Sequence, residues 1–299
     1  MKRLFLHIGT HKTGSTAIQY WLAGQRDALR RQGIHYGSTD RPPHPNLPKH
    51  NSLFWSLANP KGDFAAEKAA ILADFEDSDC HTLILSEEGL SEPIHRKLDR
   101  ISELREHFEI EVVCFLRRQD YFLESLWNQK CREGLEKRSI DAFVAADHNR
   151  RRIDYIGKID FWSKIGKVRL AIYDENSPSS VEAFANIVGI EHNGIQQVAN
   201  PSPSMNCAVS CNLVNRWRSK HTPATLISMF EGDIRQHALG RRLRKAILED
   251  CAASNKLLSE RYGITFDRSV PLEPERHIRW PSLLSVLSAL LPGRRRRGS

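Results

Sequence analysis

Arg3-Leu4-Phe5-Leu6-His7-Ile8-Gly9-Thr10-His11-Lys12-Thr13-Gly14-Ser15-Thr16 is the stretch that decides the fold class. Arg3 to Ile8 is a short apolar run stopped by a glycine, the pattern of a buried parallel strand. From Ser15 the period changes. Ile18, Trp21, Leu22, Gln25 and Leu29 recur at helical spacing, Arg30 and Arg31 suit a C-terminal dipole, and Gly33 supplies a stop. The spacing predicts a helix over 15–32. Strand, glycine-bearing loop and helix together open an α/β unit that binds phosphate.

Outward from that unit the same alternation continues. Residues 35–49 are rich in Pro, Gly, Asn and His and read as a loop. A helix is predicted over 63–75 and a strand over 82–85, which ends in Ser86-Glu87-Glu88-Gly89. A third strand is predicted over 111–116, with Asp120 placed to cap the next helix, then a fourth over 168–172 and a helix over 181–188. Strands alternating with helices imply a mostly parallel sheet covered on both faces, a three-layer αβα, P-loop-like arrangement. Beyond about residue 200 the strand signal ends, and 208–219 and 242–262 read as helices, the second stopped by Gly263.

Composition excludes several classes. With 299 residues, 40% hydrophobic and 27% charged, the chain suits a soluble globular protein. It contains no apolar run long enough for a transmembrane helix, and the apolar stretch after Lys2-Arg3 is too short for a signal core. Six scattered cysteines with no CxxC pair suggest reduced thiols, no zinc site and a cytoplasmic setting. Four of the net +8 charges sit in Arg294 to Arg297, so the body is only mildly basic. That suits an anionic small molecule, and no nucleic-acid partner is expected.

Gly9 to Thr16 brings two glycines, a lysine and four hydroxyl residues to a strand–helix junction. Free N–H groups and the helix dipole make such a loop an oxyanion site. A nucleotide-triphosphate loop reads GxxxxGK[ST], whereas here Ser15 follows the second glycine and the lysine precedes it by two. Lys12-Thr13-Gly14-Ser15-Thr16 instead resembles the 5′-phosphosulfate loop of sulfotransferases that use 3′-phosphoadenosine 5′-phosphosulfate (PAPS). The second element of that family is an arginine ending a later strand and a serine eight residues on. Val112-Val113-Cys114-Phe115-Leu116-Arg117 followed by Ser125 has that spacing, with Arg118 as a spare. Helical spacing puts Tyr121, Ser125, Asn128 and Arg132 on one face, and Phe122, Leu123, Leu126 and Trp127 on the other. His7-x-Gly9-x-x-Lys12, Leu116-Arg117-Arg118-Gln119-Asp120, and Asp154-Tyr155 to Phe161-Trp162 are similar to bacterial sulfotransferase-like proteins over about residues 1–190.

The resemblance implies a five-stranded parallel sheet in one domain, 1–279. Its core would be 1–190 and a helical acceptor-side part 191–279, with a short amphipathic helix and basic tail over 280–299. It implies PAPS as co-substrate without a metal. Lys12 would neutralise charge on the leaving phosphate, and Thr13, Gly14, Ser15 and Thr16 would hold the 5′-phosphate. Arg117 and Ser125 would hold the 3′-phosphate. The catalytic base is expected at Glu88 or Glu87, Glu88 placed first, with His50 and His11 in reserve. The acceptor would be a small molecule or glycan, a saccharide hydroxyl by analogy with bacterial relatives. Serines 282, 285 and 288 and the terminal arginines suggest a peripheral membrane contact, beside the plainer reading of a docked helix with a solvated tail. Two other functions fit the same residues: a P-loop kinase or NTPase, with Leu83 to Glu88 as its acidic strand, and a nucleotide-binding module without turnover.

Overall fold

In β1 (Arg3–His7) the side chains alternate between two apolar layers: Leu4 and Leu6 face one, Phe5 the other. A strand buried on both faces must sit inside a sheet with helices on each side. The computed structural model, which describes residues 2–39, 48–92, 98–174, 179–192, 205–217, 237–267 and 269, has that arrangement. β1 pairs in parallel with β3 (Thr82–Ser86) on one side and β4 (Glu109–Leu116) on the other. β2 (Ile34–Tyr36) and β5 (Lys167–Ile172) are the outer strands, giving the order β2-β3-β1-β4-β5, every pair parallel. The expected three-layer α/β fold is therefore present.

The order has a topological consequence. After β1 the chain leaves toward β2, whereas after β4 it leaves toward β5. The switch point thus lies between β1 and β4, and the loops at their carboxyl ends flank the crevice where open α/β sheets bind ligands. Those loops are Gly9 to Gly14 and Arg117.

The described residues divide into two compact units interleaved along the chain. The first, within Met1–Arg118, Asp154–Val198 and Ala253–Phe266, contains the sheet. One of its faces is covered by α1 (Ser15–Gly24), α2 (Arg26–Arg31) and α9 (Ser180–Val188), through Ile18, Leu22, Leu29, Val181 and Phe184. The other is covered by α3 (Asn51–Ala58), α4 (Phe64–Glu76), α8 (Tyr155–Ser163) and α12 (Ala252–Tyr262), through Leu53, Phe64, Phe75, Trp162 and Leu258. Glu111 is a buried carboxylate on the interior strand β4. Arg3 on β1 and Arg169 on β5 bind its two oxygens, each at 2.7 Å, so its charge is paired across three strands.

The second unit lies within Gln119–Ile153, Ala199–Ala252 and Asp267–Ser299. Its core joins α5 (Gln119–Arg132), α6 (Ile140–Ala145), α10 (Met205–Trp217) and α11 (Arg241–Asp250) through Phe122, Trp127, Phe143, Cys211 and Ile247. Between α6 and α8 lies the short α7 (Asp147–Arg152). Among the described residues no helix is long and apolar enough to cross a membrane.

Several expectations need correcting. Residues 34–36, placed partly in a loop, form the edge strand β2, too short to show a period and supported by pairing with β3. The helix over 15–32 breaks after Gly24, the poorest helix former available, and restarts at Arg26 so that Leu29 also reaches the core. The helix over 242–262 likewise breaks at Cys251 into α11 and α12. Asp120 does not cap α5. It lies inside the first turn, fully buried, and ion-pairs with Arg244. The proposed membrane-contact segment, 280–299, lies outside the described residues.

Candidate functional site

The loop between β1 and α1 is held by its own hydroxyls and by β4. Thr13 donates its Oγ1 proton to the Thr10 carbonyl at 2.6 Å and accepts from the Thr10 N–H at 3.3 Å. Thr10 Oγ1 donates to the Phe115 carbonyl at 3.0 Å, and Arg117 Nη1 donates to the Lys12 carbonyl at 3.2 Å. Thr13 therefore spends its hydroxyl on loop shape and has its backbone N–H left to offer an anion.

Gly14 caps α1 with φ 80° and ψ 11°, and no side chain makes a capping hydrogen bond there. The first N–H groups of a helix have no partner inside it, so here they are left for a ligand. A side chain at Gly14 is barred twice. Its φ is left-handed, and a Cβ would lie 2.2 Å from Ser180 Oγ at the start of α9. Lys12 also has positive φ, 66°, a conformation costing an L-residue about 1–2 kcal/mol. Strain held at a lysine in this loop is of the kind that clusters at functional sites.

Beneath the loop are two buried polar atoms with no hydrogen-bond partner, Ser15 Oγ and His7 Nε2. Both approach Gly9, where a Cβ would stand 2.5 Å from the first and 3.4 Å from the second. Of the residues expected to bind cofactor, Lys12 to Thr16 and Arg117 thus meet at the β1/β4 switch point. The Arg117 guanidinium, nearly buried, lies 5.4 Å from the Tyr173 ring, and the Arg117 carbonyl accepts from Tyr155 Oη at 2.6 Å. Ser125 belongs to α5 in the second unit, where it is buried.

The two expected carboxylates follow β3, the neighbour of β1. Glu87 is 2% exposed: Oε1 accepts from the Gly89 N–H at 2.9 Å, and Oε2 has no partner. Glu88 is held at both oxygens, Oε1 by Lys49 Nζ and Oε2 by Gln19 Nε2, each at 2.8 Å. Burial and the charge of Glu88 push the Glu87 carboxyl up to about 7. Burial also acts upward on Glu88, but the Lys49 charge and the bonds from Lys49 and Gln19 outweigh it and hold this carboxyl low. One group stays ionised while its neighbour changes protonation near neutral pH.

That contrast predicts a pH-dependent stability. Folded Glu87 binds its proton more tightly than an unfolded glutamate with an ordinary value of 4.5, so stability falls as pH rises from 4.5 through about 7. Glu87→Gln is expected to stabilise the protein at pH 8 by up to about 3 kcal/mol, the gap closing toward pH 5. Urea denaturation at the two pH values reads it; a gap independent of pH would contradict the assignment.

The reserve histidines are both engaged. His50 Nδ1 accepts from the Ser86 N–H at 2.9 Å, which leaves the proton on Nε2 for the Gly37 carbonyl at 3.1 Å. His11 Nε2 lies 3.1 Å from Glu92 Oε1.

Comparison with known proteins adds little sequence likeness. No protein-family model and no curated protein matches the chain. A sulfotransferase from Alicyclobacillus acidocaldarius aligns over 78% of this chain and 98% of its own, with 11% identity and a TM-score of 0.45. A chain of the PezAT chromosomal toxin–antitoxin system of Streptococcus pneumoniae aligns over 78% and 88%, with 10% identity and a TM-score of 0.32.

Reading the sequence for motifs missed Gln19, Lys49 and Ser86, which tie the carboxylates to the loop. Gln19 had a signal: it is a polar residue one turn after Ser15, beside the core residues Ile18 and Leu22, and it is 3% exposed. Lys49 and Ser86 had none, because tertiary approach alone brings them to Glu88 and Gln19.

Proposed function

We propose that the chain transfers a sulfuryl group from PAPS to an acceptor hydroxyl or amine, on a saccharide or glycolipid. The observation that carries this reading is the Lys12-to-Thr16 loop, with no side-chain hydrogen bond at its Gly14 cap and with Arg117 anchored to it across the switch point. The unpartnered Ser15 Oγ and the left-handed Gly14 fit an oxyanion there. When bound, PAPS supplies the sulfuryl group, whose bond to the 5′-phosphate oxygen breaks as the acceptor oxygen or nitrogen takes the sulfur.

The chain's own residues position, neutralise and accept a proton. The N–H groups of 13–16 hold the 5′-phosphate, and Lys12 offsets its growing charge. Arg117 offers a planar fork of donors to the 3′-phosphate. Glu87, with one oxygen unpartnered and a proton affinity near neutral, takes the acceptor's proton, while Glu88 remains an anion beside it.

Calorimetric titration with 3′,5′-adenosine bisphosphate, set against ATP with magnesium, tests the reading. Micromolar or tighter binding of the bisphosphate, lost in Arg117→Ala, is expected. Binding of ATP with magnesium alone would replace it with a kinase or NTPase.

A further inference from the structure

The carboxylate pair and the phosphate loop are joined by a chain of hydrogen bonds whose polarity can be read. Gln19 is on α1, one turn after Ser15, and its amide nitrogen reaches Glu88 Oε2 at 2.8 Å and Ser86 Oγ at 3.2 Å. An ionised carboxylate only accepts, so the amide must face it through nitrogen, and its two protons serve these two acceptors. Ser86 Oγ, accepting from Gln19, also lies 2.8 Å from His7 Nδ1. Among the described residues that nitrogen is the acceptor for the serine proton. His7 is fully buried, and burial lowers its pKa to about 4, so the ring is neutral and its proton sits on Nε2. That N–H is the unpartnered group beneath Gly9, beside Ser15 Oγ. The path from loop floor to carboxylates runs His7, Ser86, Gln19, Glu88 and Lys49, drawn from β1, β3, α1, the 3-10 turn after β3 and the segment before α3.

We propose that Gln19 is a positioning residue: from the helix that follows the phosphate loop it fixes the Glu88 carboxylate opposite Lys49 and, through Ser86, sets the tautomer of His7 under Gly9. Its role as an aid to proton transfer rests on the sulfuryl-transfer reading; the clamp itself does not. With Gln19 holding one oxygen and Lys49 the other, the Glu88 carboxylate is fixed in plane and in charge, and so is its field on Glu87 next to it. The same amide registers that anion against the helix whose amino end faces the phosphate.

The test is a carboxyl titration by NMR on protein labelled with 13C at the glutamate side-chain carboxyl, the Glu88 signal assigned by its loss in Glu88→Gln. Gln19→Leu removes the donor and should raise the Glu88 midpoint by about one pH unit. Gln19→Glu keeps the shape, replaces donor by like charge, and should raise it by about two. A purely structural glutamine would leave the midpoint in place, and an unmoved midpoint in both variants overturns the proposal. Bisphosphate titration of the parent protein is read separately. If the midpoint moves while the parent binds no bisphosphate, the clamp stands and the sulfuryl-transfer reading falls.

Discussion

Lys12→Gly should leave the fold as stable as the parent, or more stable by up to about 1 kcal/mol, while the proposed sulfuryl transfer falls about 10²–10³-fold. The two effects have separate origins. The backbone favours the change: Lys12 has a φ of 66°, which glycine adopts without a Cβ clash, the gain being partly offset by the greater entropy glycine loses on folding and by the loss of the lysine side chain's own contacts. In the proposed reaction turnover follows the charge, whose hold on the phosphate strengthens as the bond to sulfur breaks and the phosphate becomes more negative. Thermal denaturation and initial rates with PAPS and an acceptor measure the two in parallel. A rate within a few-fold of the parent would remove Lys12 from the reacting centre, whatever the stability.

Arg244→Met is expected to cost about 3–5 kcal/mol, measured by urea denaturation. Arg244 is 2% exposed and binds Asp120 Oδ2 at 2.8 Å and Glu124 Oε2 at 2.5 Å. Glu124 also accepts from His237 Nδ1 and from the N–H groups of Ala238 and Leu239. Burial alone would raise the Glu124 carboxyl, yet the His237 bond, the Arg244 charge and the Leu239 amide hold it down to about 2. Methionine fills the space but leaves two buried carboxylates without their cation. The sign with pH follows. A depressed folded value means stability present above 4.5 and lost as pH falls toward 2, and this contribution shrinks in the variant. The gap between parent and Arg244→Met should therefore narrow in acid, and adding Asp120→Asn and Glu124→Gln should recover much of the loss at neutral pH. A loss below about 1 kcal/mol at pH 7 would mean that the cluster is hydrated in solution.

The sheet and the loop were legible in the sequence because local chemistry dictates them. A run such as Leu4 to Ile8 buries both faces, and a glycine must stand where φ is 80° against Ser180. Arg117 was legible because a strand end fixes where its side chain begins. Legibility failed where a partner far along the chain makes the decision. Ile34 to Tyr36 are a strand only because β3 offers them an edge. Asp120 has the look of a helix cap until Arg244, 124 residues later, claims it. The division of labour between Glu87 and Glu88 is invisible in two adjacent identical letters. It arises because Lys49 and Gln19 hold both oxygens of Glu88 at 2.8 Å, whereas Lys49 stands 3.5 Å from Glu87 Oε1 and Glu87 Oε2 is left bare.

The interleaving of the two units bears on how the protein is made. Leu258, Ile264 and Phe266 complete one face of the sheet core, although the other fully buried residues of that face are encoded before residue 166. During synthesis β1 to β5 can pair, but their covering layer stays open until these last residues emerge. At a translation rate of about 5–20 residues per second, the segment from Ile165 to Leu258 takes on the order of 5–20 s. Throughout that interval an incompletely covered parallel sheet is tethered to the ribosome. The nascent chain is therefore exposed to aggregation and to chaperones at a stage when the loop after β1 and the whole of β4 have already been synthesised.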